Sequence, residues 1–436
     1  LIFIARVNII WLFLNLLVLI FIQFLFQFMN APLQTKKLLN IIVIVAALGY
    51  FVDVYDLILF AIVRVPSLKS MGLTDIEIHD KGVFLLNMQM IGMLAGGLLW
   101  GILGDRKGRV SVLFGSIVLY SVANILNGFA SSVSMYGWLR LIAGIGLAGE
   151  LGAGITLVSE TMTKENRGYG TMIVVSFGVL GAVLAALVGK YFAWQTAYFI
   201  GGALGLFLLL LRIGVYESGM YEAVEKSVVS KGNFFQLFNT RKRTIKYLSC
   251  ITIGLPIWFL IGILITFSND FAKHLGVTGV VPGTAVMMFY IGTSFGDFMS
   301  GYLSQVLKNR KKVVYLYLFI TVVAIPVYLF SYNISLEIFY FICAFVGLAG
   351  GYWAVFVTMA SEQFGTNIRS TVTTTVPNFV RGALVPLLLC FEYIKNHSDL
   401  ITAALVVGFS SVIIAFIALW GMEETHGKDL DYFEVD

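Results

Sequence analysis

Twelve apolar runs of about twenty residues each, parted by short polar stretches, pattern this chain. They fall near 40–62, 83–103, 110–130, 136–158, 168–189 and 194–214, and again near 244–268, 284–306, 313–331, 336–358, 370–393 and 400–420. Each is long enough for a helix to cross a hydrocarbon core of about 30 Å. None alternates polar and apolar at every second residue, which excludes a lipid-exposed β-barrel. The spans are therefore helices, whose backbone hydrogen bonds close within each segment. The longest polar stretch, 215–243, holds Glu217, Glu222, Glu225, Lys226, Lys231, Arg241, Lys242 and Arg243 and divides the spans six and six. The pattern predicts an all-α membrane protein of twelve transmembrane helices. Its parts are an N-terminal segment 1–39, a six-helix bundle 40–214, a central loop 215–243, a second bundle 244–420 and a tail 421–436.

Composition narrows the class. Of the 436 residues 59% are hydrophobic and 12% charged, about half the charged share of a soluble domain. Most of the 29 Lys and Arg lie in alternate loops: Lys36, Lys37, Arg106, Lys107, Arg109, the central loop, and Lys308, Arg310, Lys311 and Lys312. Only Arg64, Lys69, Lys81, Lys190, Lys273 and Lys395 lie on the opposite side. Basic loops stay in the cytoplasm. Both termini are thus expected there, in a multi-pass protein of a cell membrane, of the bacterial inner-membrane kind. The net charge of +5 reflects this orientation rather than a nucleic-acid partner. Cys250, Cys343 and Cys390 are scattered and suggest neither a disulfide framework nor a metal site. Residues 1–28 precede Met29-Asn30-Ala31-Pro32, which has the look of an ordinary start, and are expected to be an artefactual extension.

The halves repeat. Ile91-Gly92, Gly96 and Gly101 recur as Ile291-Gly292, Gly296 and Gly301, and Gly146-Leu147-Ala148-Gly149 recurs as Gly347-Leu348-Ala349-Gly350. Ser159-Glu160 with Arg167 recurs as Ser361-Glu362 with Arg369. Three ordered matches in register predict pseudo-symmetric bundles, and duplicated halves with a site between them characterise secondary transporters.

Residues 101–109, Gly-Ile-Leu-Gly-Asp-Arg-Lys-Gly-Arg, occupy the loop after span two. This run resembles the hallmark G-x-L-x-D-R-x-G-R of the major facilitator superfamily, and the likeness extends over about 40–434. Asp105 beside several bases can open and close an ion-pair gate, or cap the positive N-terminus of a helix in the other half. The gate set is Gly101, Asp105, Arg106, Gly108 and Arg109. The resemblance implies that the pairs Glu160 with Arg167 and Glu362 with Arg369 join the same network. The second copy of the loop, around Gln305 to Lys312, lacks the acid, so gating is expected to be asymmetric.

Charges inside spans are costly and mark function. Asp53 and Asp56 are three residues apart in span one; Arg140 and Glu150 lie in span four, Asp297 in span eight and Arg381 in span eleven. Thr374, Asn378 and Arg381 form a polar stripe expected to face a cavity. Asp53, Asp56 and Glu150 are the candidates for proton coupling, since burial favours a neutral carboxyl and His79, His274, His397 and His426 all fall in loops or tails. Arg381 offers a planar fork for a carboxylate or phosphate. With Asn378, Tyr55, Asp297, Arg140, Trp258 and Trp353 it makes up the candidate substrate site.

Asp53-Val54-Tyr55-Asp56 is similar to the D-G-Y-D signature of aromatic-acid:proton and related metabolite:proton symporters, with Val54 in place of the glycine. Arg140, Gly144 and Gly146 match an R-x-x-x-G-x-G pattern of that family. The tail Glu424-Thr425-His426-Gly427 is similar to the P-E-T-x-G tail of sugar porters. Spans five and seven lack the glutamines of sugar porters. The resemblance implies secondary active transport of a small organic anion, a carboxylate-type metabolite, by alternating access with the proton as coupling ion. No cofactor or metal is expected, and the single chain is the expected functional unit within the lipid bilayer. A sugar or polyol porter, an uncoupled facilitator and a non-transporting sensor are the alternatives. No enzyme motif is found: there is no GxSxG elbow, HExxH pair or Walker lysine.

Overall fold

The computed structural model describes residues 41–212, 217–221 and 229–434. The segment 1–39, with the extension expected at 1–28, and residues 213–216 and 222–228 of the central loop lie outside the described residues.

Span one is Ile41–Ser70, span two Asp75–Lys107, span three Arg109–Asn127, span four Val133–Thr161 and span six Trp194–Leu211. Spans eight, nine and twelve are Pro282–Val306, Arg310–Leu329 and Leu400–Gly421. The remaining four are broken. Span five is Arg167–Gly178 and Gly181–Tyr191, and span ten is Leu336–Gly350 and Trp353–Glu362. Span eleven is Arg369–Gly382 and Leu384–His397. Span seven runs from Arg241–Ile253 through Leu255–Phe259 into a wide π turn at Leu260–Ile265. Glycine or proline stands at or beside each break, where both weaken a helix. Irregular backbone at membrane depth is tolerated only where protein surrounds it, and each broken span helps to wall the cavity between the halves.

Among the described residues eleven helices are long and apolar enough to cross a membrane. Span eight has the length, 25 residues, or about 37 Å. It is the more polar exception, because Thr293, Ser294, Asp297, Ser300, Ser304 and Gln305 are buried against protein instead of facing lipid. Helix ends overrun the hydropathy limits: span one continues to Ser70, and Thr74 starts span two with a capping box shared with Glu77. Such a cap contributes about 1 kcal/mol, and hydropathy registers only the part of a helix within the hydrocarbon core.

Within the first half, span four packs on spans two and three; within the second, span ten packs on spans eight and nine. The halves meet along spans two and eleven, four and eleven, and five and eight. Gly101 shows how close that approach is. A Cβ there would lie 3.0 Å from Thr371 Cα and 3.1 Å from its carbonyl oxygen, so the two backbones are in van der Waals contact. Small residues allow this, and without it dispersion and interhelical hydrogen bonds would be lost.

Candidate functional site

A cavity lies at the interface of the halves. Tyr50, Val54 and Leu57 face it from span one, Ile257, Trp258 and Ile261 from span seven, and Phe289, Tyr290 and Thr293 from span eight. Val179, at the break in span five, Trp353, at the break in span ten, and Arg381 complete the wall. Positions 50, 54 and 57 share one helical face. Among the described residues the lining is five aromatic and five aliphatic side chains, with Thr293, one guanidinium and no carboxamide. Its free volume is about 30 Å³, room for little more than a water or two, so the halves must part before an organic solute enters.

Two acid–base pairs stand one turn apart on span one. Asp53 is fully buried, and its carboxylate lies 3.7 Å from Nη2 of Arg381, across the interface. Among the described residues, neither Asp53 oxygen has a hydrogen-bond donor. Arg381 Nη1 donates to Asn378 Oδ1 at 3.3 Å, and its guanidinium lies 5.8 Å from the Trp353 ring. Asp56, also fully buried, has Arg140 as its foremost charged neighbour and lies against Gly201 of span six, where a Cβ would collide with it. Arg140 sits over the rings of Phe60 and Tyr198, at 5.5 and 5.7 Å, and none of its guanidinium nitrogens donates a hydrogen bond. One pair bridges the halves; the other is internal to the first.

Four expected site residues are placed differently. Tyr55 points away from the cavity, its hydroxyl donating to the Ala197 carbonyl at 2.8 Å; Tyr50 takes the cavity position instead. Asn378 donates to the carbonyls of Ala148 and Thr374 at 2.8 and 2.7 Å, and Gly152 abuts Thr374. The polar stripe of span eleven therefore packs on span four, with only Arg381 reaching the cavity. Asp297 accepts from the Ala354 N–H at 2.9 Å and caps the half-helix that begins at Trp353. Glu150 does not fit a proton carrier: Arg212, which hydropathy hides at the end of span six, grips both its oxygens, one at 3.0 Å. That arginine also donates to the Leu113 carbonyl at 2.7 Å.

The basic-loop face is closed by two buried clusters. Asp105 accepts from the N–H groups of Ser370 and Thr371 at 3.0 and 2.8 Å and from the Thr371 hydroxyl at 2.7 Å. It thereby caps span eleven of the other half. Arg109 donates to Glu160 at 2.9 Å and to the Gly104 and Thr366 carbonyls, with Asp105 3.5 Å away. Arg106 lies at the rim, bonded to the Lys231 carbonyl. Gly108 has φ +94°, and a Cβ there would meet Glu217 at 2.3 Å, so the motif glycine is required twice over.

The expected pairing of Glu160 with Arg167 and Glu362 with Arg369 is corrected by a crossing. Glu160 accepts from Arg369 at 3.1 Å, whereas Glu362 accepts from Arg167 at 2.7 Å. The two acids stand beside the pseudo-twofold axis, where Ser159 and Ser361 face each other at 3.3 Å. Each acid thus joins an arginine of its own half to one of the other half. Sequence reasoning also missed a further repeat. Glu217 accepts from the N–H groups of Arg109 and Val110, both at 3.1 Å, and Glu424 accepts from those of Arg310 and Lys311, both at 3.0 Å. Arg310 binds Glu362 at 2.6 and 2.8 Å, and Ser218 binds Glu160 at 2.5 Å. In place of Asp105 the second copy has Gln305, which donates to the Glu165 carbonyl at 3.0 Å and accepts from Arg310 at 3.4 Å.

The opposite face is closed more lightly. Arg64 lies over the Phe267 ring at 5.1 Å, and Ile62 packs on Gly283.

Comparison with known proteins matches this architecture. The model of the Major Facilitator Superfamily covers residues 46–383. A Bacillus subtilis protein named as a niacin/nicotinamide transporter, NiaP, is 27% identical over 82% of this chain and 88% of its own. A Cupriavidus pinatubonensis protein named as a 4-methylmuconolactone transporter is 28% identical over 74% of this chain and 76% of its own. Among solved structures, the proton:xylose symporter XylE superposes with a TM-score of 0.72 at 15% identity, over 91% of this chain and 98% of that one.

Proposed function

The chain belongs to the major facilitator superfamily, and we propose that it is a proton-coupled symporter of a small organic anion, a carboxylate-type metabolite. It is a multi-pass membrane transporter and not an enzyme. The observation that carries the finer reading is Arg381, the one charged residue of the cavity wall, with the buried Asp53 carboxylate 3.7 Å from its Nη2.

An incoming carboxylate offers Arg381 a bidentate partner better than Asp53 at 3.7 Å. Asp53, fully buried, then stands without a counter-ion, where the neutral acid is favoured, and takes up a proton. With both charges compensated, the halves can rock past one another and present the site to the other side. Asp56 with Arg140 provides a second such acid one turn away. Tyr50, Trp258, Tyr290 and Trp353 give the organic body a surface to stack on. The absence of a carboxamide from this lining speaks against a polyol, whose hydroxyls call for such groups. The names borne by the two bacterial relatives, for a pyridine compound and a lactone, agree with a small flat solute.

The basic face is read as cytoplasmic, in a cell membrane of the bacterial inner-membrane kind, with one chain as the working unit because one chain encloses the cavity.

Proteoliposomes with an imposed pH gradient test the reading, using labelled nicotinate and benzoate. Uptake that rises when the outside is acidified and collapses with a protonophore is the expected result. Uptake indifferent to the gradient removes the coupling, and saturable uptake of xylose but of no anion removes the substrate class.

A further inference from the structure

On the basic face a groove of about 450 Å³ runs between the start of span seven and the end of span twelve. Arg241, Lys242 and Lys246 line one side, Met422 and Glu423 the other. A second hollow, of about 470 Å³, continues it past Arg243 and Lys428, with Glu434 at its far edge. Five cations and two carboxylates thus border the groove. Lys242 is 79% exposed and meets Glu423, 60% exposed, at 3.2 Å; an exposed pair of this kind is weak, and a phosphate can replace its carboxylate.

The groove's height in the membrane selects the ligand. Span seven begins at Arg241 and span twelve ends at Gly421, so the cations lie where both helices leave the hydrocarbon. The same two spans carry an apolar flank: Trp420 is 81% exposed, Ile245 49% and Leu248 47%. Tryptophan at this level marks the headgroup boundary. A soluble anion has no use for that flank, whereas a phospholipid uses both parts.

We propose that this groove is a binding site for an anionic phospholipid, its headgroup phosphate held by Arg241, Lys242 and Lys246 and its acyl chains lying along Ile245, Leu248 and Trp420. Basic pockets between helices at the membrane surface recognise such headgroups by charge. The site is independent of the transport cavity and of which solute is carried.

Native mass spectrometry of the full chain, released from micelles holding equal phosphatidylglycerol and phosphatidylcholine, tests it. Retention of phosphatidylglycerol should exceed that of phosphatidylcholine about tenfold, and Arg241→Gln with Lys242→Gln should erase the preference. Brominated phosphatidylglycerol should quench a fluorescence component that Trp420→Phe lacks. Millimolar inorganic phosphate should leave the lipid in place. Equal retention of the two lipids, an unchanged preference in the double variant, or displacement by phosphate alone would each overturn the proposal. If the double variant does not fold, Lys242→Glu, at a solvent-facing position, carries the same test.

Discussion

Arg167, at the head of span five, donates from Nε to Glu362, at the foot of span ten, at 2.7 Å, and so ties one half of the protein to the other. Arg310 holds the same carboxylate from within the second half. Glu362 is therefore the shared acid of two buried guanidiniums, and Glu160 plays the mirrored part between Arg109 and Arg369. Both clusters join the two halves on the basic face.

Replacing Glu362 by Gln leaves Arg167 and Arg310 buried without their acid. Such a loss costs about 3–5 kcal/mol, and it falls on the closed conformation. More than a hundredfold of the population should move toward a state open on the basic face. A cysteine placed at Ser159 in a Cys390→Ala background reads this directly. Maleimide added from that side should label it slowly in the parent and at least tenfold faster in the variant. Equal rates would mean that Glu362 does not hold the face shut.

Asp53→Asn and Arg381→Ala should separate coupling from binding. The first frees Arg381, so solute exchange persists while accumulation against a pH gradient disappears. The second removes the fixed cation and should weaken anion binding by about 3 kcal/mol, roughly a hundredfold in Kd. Counterflow and gradient-driven uptake, measured on the same vesicles, distinguish the two. An Asp53→Asn protein that still concentrates its solute with falling external pH would place coupling elsewhere, with Asp56 the next acid to replace.

How much of this was legible in the sequence follows from what each signal measures. The twelve spans, the repeat and the Asp105 loop were readable because hydropathy and fixed spacing report on single helices and their ends. The partners were not. Glu160 and Arg167 are neighbours along the chain, yet each binds a residue of the other half, and only the fold brings Glu160 to Arg369. Tyr55 attracted notice through its two flanking aspartates, but the helical turn sends it to span six and gives the cavity to Tyr50. Arg212 lies at the very end of an apolar run, where hydropathy does not single it out, which left Glu150 without a visible partner. A pattern read on one helix finds buried charge and cannot say what neutralises it.

Glu150 therefore makes a test of structure against mechanism. Glu150→Gln strands Arg212 among apolar neighbours and should cost about 3–5 kcal/mol of stability, seen as a lowered unfolding temperature in detergent. Combining it with Arg212→Met removes both charges and should recover most of that loss, since a buried pair adds little over a well-packed apolar one. In the double variant the dependence of uptake on the proton gradient should match the parent. Loss of that dependence with stability restored would return Glu150 to the list of proton carriers.

The tail carries a pH response of its own. His426 lies in a hollow shared by Lys164 and Glu165 of one half and Gln305 and Lys308 of the other. Burial, and next the Arg310 charge, hold its imidazole below the ordinary value of 6.5, with Glu362 and Glu424 opposing. The docked tail thus prefers the neutral ring, while an undocked tail binds the proton more readily. The sign follows from linkage: docking is fully supported above pH 6.5 and loses support as pH falls below it toward the lowered value. Docking matters to the gate because the Leu430 carbonyl accepts from Arg369 at 2.5 Å and the Lys428 carbonyl accepts from Arg167. An environment-sensitive dye on a cysteine at exposed Asp431, in a Cys390→Ala background, should report a loosening of the tail that begins as pH falls below 6.5 and grows toward the lowered value. His426→Gln should flatten that response while leaving the signal at the higher pH unchanged. A response that survives the substitution would assign it to another group, and a dye insensitive to pH in the parent would show that protonation does not reach the tail.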